Sequence, residues 1–179
     1  MAQSTKLIPF LLSFEGGWCY DTGGWTMKGV TLKVYQQYFG KNKTKEDLRR
    51  ISDKEWQTIF DKYWTGCGAD RLNDEWVAFM LADFYYNAGS NATRIFQKIL
   101  GVAQDGVIGS KTIAAANTWS KGQVNLFLRI KAEREDYYIS LATKNPAKYG
   151  GYLSGWLRRA NSLQYGSFIY NDYKIVNYL

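Results

Sequence analysis

The chain has 179 residues, a net charge of +7 at pH 7, an aromatic fraction of 17% and no histidine. This length allows one large domain or two small ones, with a core that needs no disulfide support. The absence of histidine excludes Ser-His-Asp and Cys-His catalysis and any histidine-ligated metal site, so acid-base chemistry falls to carboxylates, Tyr or Lys. We expect Cys19 and Cys67 to be free thiols, and we predict no catalytic metal and no cofactor.

The sequence also limits where the protein acts. No run of about twenty apolar residues is present, which predicts no transmembrane helix and no stable membrane insertion. The first residues carry only Lys6 as a basic group ahead of a brief apolar stretch, and no small-residue cleavage site follows. We therefore expect no signal peptide, synthesis in the cytoplasm, and release before any action outside the cell.

The excess of positive over negative residues is confined to the second half of the chain. Residues 1–90 contain 11 Lys and Arg against 11 Asp and Glu, whereas residues 91–179 contain 12 against 5. A basic half of this kind favours a polyanion such as nucleic acid, an anionic membrane or a bacterial wall, or else is a solvated surface that aids solubility.

The pattern of apolar residues predicts a mainly α fold. A first helix begins near Leu7 and closes at Gly16 and Gly17 with a left-handed cap, which places Glu15 at its very end. Glycines and β-formers between residues 18 and 30 predict a small hairpin or an irregular loop. A helix follows from Thr31 to Gly40.

Local signals define the next helices. Ser52 with Glu55 is a capping box that opens a helix ending near Gly66. The segment 76–89 is apolar on all sides, which predicts a buried central helix. A short helix ends at Gly101, and another starts near Ser110.

The rest of the second half is predicted to be helical except for its end. Ser120 with Gln123 forms a second apparent capping box, and Pro146 can open the last helical stretch. The aromatic end, residues 168–179, has no clear pattern. Since no linker divides the chain, we expect regions 1–90 and 91–179 to share one core in a monomer.

Glu15 is the candidate general acid. A carboxylate at a helix C-terminus faces the negative end of the helix dipole, and Phe14 and Trp18 can exclude water from it. Both effects disfavour its ionised form, as a proton donor requires. Asp21 and Thr26 follow in the glycine-rich turn and could hold the water that attacks a glycosidic bond. Position alone also allows an exposed Glu at a helix end.

Two short segments carry a family resemblance: Phe14-Glu15-Gly16-Gly17-Trp18, and Asp21-Thr22-Gly23-Gly24-Trp25-Thr26 followed by Gly29-Val30-Thr31. They resemble the signature of the glycoside hydrolase family 108 lysozymes, which are N-acetylmuramidases. The resemblance implies a lysozyme-like fold, Glu15 as catalytic acid, and Asp21 and Thr26 on the water side. The spacer between Gly17 and Asp21 is shorter than in the family pattern.

The second half is similar to the peptidoglycan-binding domain that often follows in such proteins, through Asp83-Phe84-Tyr85-Tyr86-Asn87-Ala88-Gly89, Asp105-Gly106-Val107-Ile108-Gly109 with Thr112, and Gly155-Trp156-Leu157-Arg158-Arg159. The Asp105 segment is at least as well explained by a tight turn. The substrate-binding candidates share aromatic rings or hydrogen-bonding groups: Tyr20, Trp25, Tyr86, Asn87, Trp156 and Arg158. For the tryptophans, core packing is the competing interpretation. Arg158 and Arg159 are adjacent, so they cannot both be buried.

These features predict hydrolysis of the β-1,4 bond between N-acetylmuramic acid and N-acetylglucosamine in bacterial peptidoglycan, as in a phage or prophage endolysin. A lytic transglycosylase would use the same substrate and leave an anhydro sugar. A wall-binding protein without catalysis is a third possibility. Nucleic-acid binding has only the net charge in its favour, so we predict no nucleic-acid partner.

Overall fold

The structure is a computed structural model that describes residues 3–21 and 23–178, with the backbone alone at Asp21. The described chain is mainly helical, as predicted. After a 3-10 turn at Ser4–Lys6, the helices are α1 (Leu7–Phe14), α2 (Leu32–Phe39), α3 (Lys45–Arg49), α4 (Asp53–Gly66), α5 (Glu75–Ala88), α6 (Ser90–Leu100), α7 (Ser110–Asn117), α8 (Gln123–Lys144), α9 (Pro146–Tyr149) and α10 (Leu153–Ser162). Further 3-10 turns occur at Ala69–Arg71 and Gly150–Tyr152.

Two small antiparallel sheets complete the fold. The first, β1 (Cys19–Asp21), β2 (Gly24–Met27) and β3 (Val30–Thr31), follows α1 directly and confirms the predicted hairpin. The second, β4 (Leu163–Gln164), β5 (Ser167–Ile169) and β6 (Ile175–Asn177), ends the chain and was not predicted. The strands therefore lie at the two ends of the described chain.

Local capping explains where several helices begin. In α4, the Ser52 side chain accepts from the Glu55 N–H while the Glu55 carboxylate accepts from the Ser52 N–H, so the predicted capping box is confirmed. The second predicted box is wrong. Helix α8 begins after Gly122, at φ 83°, and the Gln123 side chain donates to the Ala116 carbonyl instead.

Helix α5 is the centre of the core, as its apolar pattern predicts. Every residue from Trp76 to Phe84 is buried, including Asp83, whose exposed fraction is 0%. Buried residues of α1, α4, α6 and α8 belong to the same apolar cluster. Such burial on all sides is the main source of stability for a helix in a globular protein.

The C-terminal sheet packs on the helix that carries Glu15. Phe168 of β5 is fully buried, and its ring stacks on Phe10 of α1 with centroids 5.0 Å apart. Phe168 also contacts Trp76 of α5, at 5.1 Å. The end of the chain thus closes the core over α1. Within the described residues, no helix is both long and apolar enough to cross a bilayer.

Candidate active site

Glu15 terminates α1, as predicted, but by a different geometry. Its N–H still donates to the Leu11 carbonyl (3.1 Å), while its own backbone is extended, with φ −75° and ψ 131°. The left-handed cap predicted at Gly16 and Gly17 is therefore wrong, since neither glycine has a positive φ. The extended residue directs the chain into the first sheet, where the Lys28 N–H donates to the Gly16 carbonyl (3.1 Å).

A two-residue turn closes around the Glu15 carboxylate. Lys28 and Gly29 connect β2 to β3, and both have positive φ, 48° and 74°, as a type I′ hairpin turn requires. The Lys28 carbonyl accepts from Trp56 Nε1 (2.9 Å) and from the Tyr86 hydroxyl (3.4 Å). A Cβ on Gly29 would clash with Glu15 Oε2, so only glycine allows this approach.

Tyr86, at the end of α5, lies on the same side of the carboxylate. A Cβ on Gly29 would also lie 2.9 Å from the Tyr86 hydroxyl. The Tyr86 hydroxyl and Glu15 Oε2 therefore both lie close to Gly29. Burial, and then the negative charge of Glu15, raise the pKa of Tyr86. The hydroxyl is therefore a hydrogen-bond donor beside the carboxylate at every ordinary pH.

The other oxygen of Glu15 is held by Arg159 of α10. Arg159 Nη1 lies 2.7 Å from Glu15 Oε1, and the two side chains are 8% and 9% exposed. Phe14 borders this pair, with its ring 5.9 Å from the Arg159 guanidinium. The carboxylate of Glu15 therefore has an arginine partner, whereas the sequence indicated only the apolar rings of Phe14 and Trp18 beside it.

Arg159 is itself fixed from behind by Asp83. Its Nε and Nη2 both lie against Asp83 Oδ1, at 2.9 and 2.7 Å, and Asp83 Oδ2 lies 2.6 Å from Arg134 Nη1. Arg134 and Asp83 are both 0% exposed. We call Glu15, Arg159, Asp83 and Arg134 the buried ion chain. It joins α1, α10, α5 and α8.

The buried ion chain contains two carboxyl groups and two guanidiniums, and Asp83 lies between the two guanidiniums. Burial alone would raise the pKa of Asp83, but Arg134 and Arg159 outweigh it and hold that pKa below its usual value. The same ion pairs overcome burial and raise the pKa of Arg134 and of Arg159. All three groups therefore stay charged in the core, as buried ions must when they are paired.

Of the two residues predicted to hold the attacking water, the structure describes the side chain of Thr26 but only the backbone of Asp21. Thr26 is in β2 with 8% of its surface exposed, and its hydroxyl donates to the Gly24 carbonyl of the same hairpin (3.3 Å). The backbone of Asp21 pairs with Gly24 in the sheet, and its side chain lies outside the described residues. The separation of the Glu15 and Asp21 carboxyl groups, which we expect to be roughly 6.5–9.5 Å for an inverting enzyme, stays a prediction.

Tyr20 and Trp25 lie on one face of the first sheet. Tyr20 is 71% exposed and meets the Trp25 ring edge to face, with centroids 5.1 Å apart. Trp25 stacks on Trp18 (4.7 Å, 11° between planes), and Lys45 Nζ lies 5.2 Å from its ring. One face of the Trp25 ring is therefore covered by Trp18, whereas the Tyr20 side chain is exposed to solvent.

Asn87, Trp156 and Arg158 line one pocket of about 290 Å³ beside the buried ion chain, together with Phe14, Gly155, Arg159 and Asn171. The Trp156 ring stacks on Tyr138 and on Tyr152, so much of it is occupied by protein contacts. Asn87 Nδ2 donates to the Asp83 carbonyl within α5 (2.8 Å). Arg158 is exposed and Arg159 is buried, as their adjacent positions require.

The Asp105-Gly106 segment forms a tight turn. The Gln97 side chain donates to Asp105 Oδ1 (2.6 Å) and to the Val107 carbonyl (3.0 Å), and Gly106 has φ 81°. These contacts support the turn interpretation over direct contact with a ligand.

The sequence reasoning missed four residues of the site: Gly29, Asp83, Arg134 and Arg159. Asp83 is an acidic residue inside a segment that is otherwise apolar, and such a residue requires a buried cation. Arg134 shares a helix face with Ile130 and Tyr138, at a spacing of four residues, so it was the natural candidate for that cation. These two signals were available in the sequence.

Comparison with known proteins gives two family matches and several similar solved structures. The family model "Glycosyl hydrolase 108" matches residues 8–89, and the model "Predicted Peptidoglycan domain" matches residues 91–161. No curated protein matches the chain. Among solved structures, it is similar to that of Brucella abortus SagA, at 26% identity and a TM-score of 0.70, over 89% of this chain and 94% of that one. The chain therefore carries a region that matches the glycosyl hydrolase 108 family, residues 8–89, followed by a region that matches the predicted peptidoglycan domain, residues 91–161.

Proposed function

We propose that this protein hydrolyses the β-1,4 bond between N-acetylmuramic acid and N-acetylglucosamine in peptidoglycan, with Glu15 as the general acid. The observation that carries the proposal is the fixed carboxylate of Glu15. It lies within the glycosyl hydrolase 108 match, and it is held by an arginine from the peptidoglycan-domain match. Both matched regions therefore contribute to one site.

The geometry around Glu15 suits proton delivery from one particular oxygen. Arg159 holds Oε1, whereas Oε2 lies against Gly29, which the Tyr86 hydroxyl also approaches. In the proposed reaction Oε2 carries the proton to the leaving oxygen of the glycosidic bond. A carboxyl group whose orientation is fixed in advance loses less entropy in reaching the transition state.

We further propose that Asp21 and Thr26 hold the attacking water, which gives inversion at the anomeric carbon. The short hairpin that carries both residues also supplies the turn that abuts Glu15. NMR of the first product tests this proposal, since formation of the retained anomer would contradict it.

The test of catalysis is the Glu15→Gln variant, assayed by mass spectrometry of the sugars released from purified peptidoglycan. An amide cannot donate the proton, so we expect activity to fall by a factor on the order of 10² to 10⁴. The control is Glu133→Gln, which makes the same chemical change in an exposed pair with Lys98 and should retain activity.

Each outcome has a distinct meaning. Retention of more than about a tenth of the wild-type rate in Glu15→Gln would place the chemistry elsewhere, because loss of a general acid costs more than that. Anhydro products would identify a lytic transglycosylase on the same substrate. A wild-type protein that binds wall material without releasing any sugar would be a binding protein.

A further inference from the structure

The pocket beside the buried ion chain contains a second arginine whose charge is not neutralised. We call it the Arg158 pocket, with the lining given above. Arg159 forms ion pairs with Glu15 and Asp83. Within the described residues, Arg158 has no carboxylate partner, and its hydrogen bonds are those of Nη2 to the carbonyl oxygen (2.6 Å) and the Oδ1 of Asn171.

The guanidinium of Arg158 is held in a fixed orientation. Its carbon lies 4.9 Å from the ring of Tyr173 and 6.0 Å from the ring of Phe14, as in cation-π contacts. Asn171 is in turn fixed by its N–H, which donates to Ser13 Oγ of α1 (3.2 Å). An oriented arginine loses little side-chain entropy when it binds a ligand, which is typical of a binding group.

The C-terminal sheet builds this part of the pocket. Asn171 and Tyr173 lie between β5 and β6, beyond residue 161, where the second family match ends. They reach the pocket because β5 packs on α1 through Phe168 and Phe10. A segment outside both matched regions thus positions a cation next to the residues that hold Glu15.

We propose that the Arg158 pocket binds a carboxylate of the peptide attached to the glycan near the bond that is cleaved. The proposal rests on the proposed function, since it assumes a peptidoglycan substrate. Asn171 accepts from Nη2 through two oxygens, so Nη1 and Nε are the donors left, and Nη1 can give a charge-assisted hydrogen bond to a carboxylate oxygen. Arg159 lines this pocket and also contacts Glu15, so a ligand here is next to the reacting sugar.

Three substrates separate the peptide carboxylate from others: glycan chains with their peptides, the same chains after the peptides are removed, which then bear the lactyl carboxylate of muramic acid, and chains whose peptide carboxylates are converted to amides. For each we measure kcat/KM at low ionic strength. We expect the wild type to prefer the chains whose peptides bear free carboxylates over both of the other substrates. Arg158→Gln should reduce this preference about tenfold, the effect expected from losing one charge-assisted hydrogen bond.

Two further variants separate charge from geometry. Arg158→Lys keeps the charge without the planar fork, so its preference should lie between those of the wild type and Arg158→Gln. Arg129→Gln removes the same charge from an exposed arginine of α8 that does not line the pocket. This control should retain the wild-type preference. The melting temperature of each variant is measured as well, as a check that the variant is folded.

Binding is measured separately, in the Glu15→Gln background, so that the result does not depend on turnover. The probes are a muropeptide disaccharide with free carboxylates and its amidated form. We expect the free form to bind about tenfold more tightly, and Arg158→Gln to abolish that difference.

The proposal is overturned if Arg158→Gln retains the wild-type preference in both measurements, or if it weakens all substrates equally. The latter would show that Arg158 contacts the sugar or supports the fold. A wild-type protein inactive on all three substrates would contradict the proposed function, while the binding measurement would still decide whether the pocket selects a carboxylate.

Discussion

Replacement of Asp83 by asparagine should destabilise the protein more than any change on its surface. Asp83 is 0% exposed and lies between Arg134 and Arg159. Asparagine has nearly the same shape, so no cavity is created. The change removes a single negative charge and leaves Arg134, which is also 0% exposed, with no carboxylate partner among the described residues.

The expected cost follows from the burial of the ions. Removal of one partner from a buried ion pair costs about 3–5 kcal/mol, because the remaining charge is left uncompensated. The substitution removes the one carboxylate that lies between the two guanidiniums of the buried ion chain. In a protein of this size such a loss lowers the melting temperature by roughly 6–20 °C. It is also a large part of a typical unfolding free energy of about 5–15 kcal/mol.

Urea unfolding followed by circular dichroism measures this cost. The matched control is Glu133→Gln, a partly exposed carboxylate that pairs with Lys98 and should contribute less than about 1 kcal/mol. Asp83→Asn should also lower activity, because Arg159 loses the group that positions it against Glu15. A loss of stability below about 1 kcal/mol, similar to the control, would refute the reasoning, since it would mean that water solvates these charges.

The same carboxylate gives a pH dependence. In the folded protein the pKa of Asp83 lies below its ordinary value of 3.8, because Arg134 and Arg159 outweigh the effect of burial. Its contribution to stability is therefore fully present above pH 3.8 and is lost as the pH falls through the folded pKa. Urea unfolding of the wild type against pH should show this loss in strongly acidic solution. Asp83→Asn should lack that component.

Three other predictions follow. Gly29→Ala should destabilise the fold by about 1–2 kcal/mol because of the positive φ at this position, and it should abolish most activity because the new Cβ displaces Glu15. The control is Gly101→Ala, which has a similar φ of 70° and open space around it, and it should lose stability but not activity. Equal activity in the two variants would contradict this prediction. Cys19 and Cys67 are free thiols, as predicted, so replacing both with Ser should shift the melting temperature equally with and without reductant, and a drop seen only under oxidising conditions would be the contrary result. Binding to purified wall should weaken steeply as salt rises, because the excess positive charge of residues 91–179 drives it; binding that does not change with salt would exclude that role.

Several helices could be predicted from the sequence because the interactions that form them join residues close together in the chain. The Ser52–Glu55 capping box joins residues three positions apart, and the apolar run in α5 reports its own burial. The same local reasoning failed at Ser120. There Gly122 adopts a positive φ and starts α8 two residues later, so the apparent box is not formed. A capping signal is reliable only where the backbone between its two residues is helical.

The sequence by itself determined that the protein is mainly helical, that histidine chemistry is excluded, and that Glu15 ends a helix before a small sheet. Only the tertiary structure decided which groups meet Glu15. Arg159 lies 144 positions away, and its approach depends on the packing of α10 against the rest of the core. Contacts at that separation are set by how apolar faces pack together, and no pattern of neighbouring residues records them.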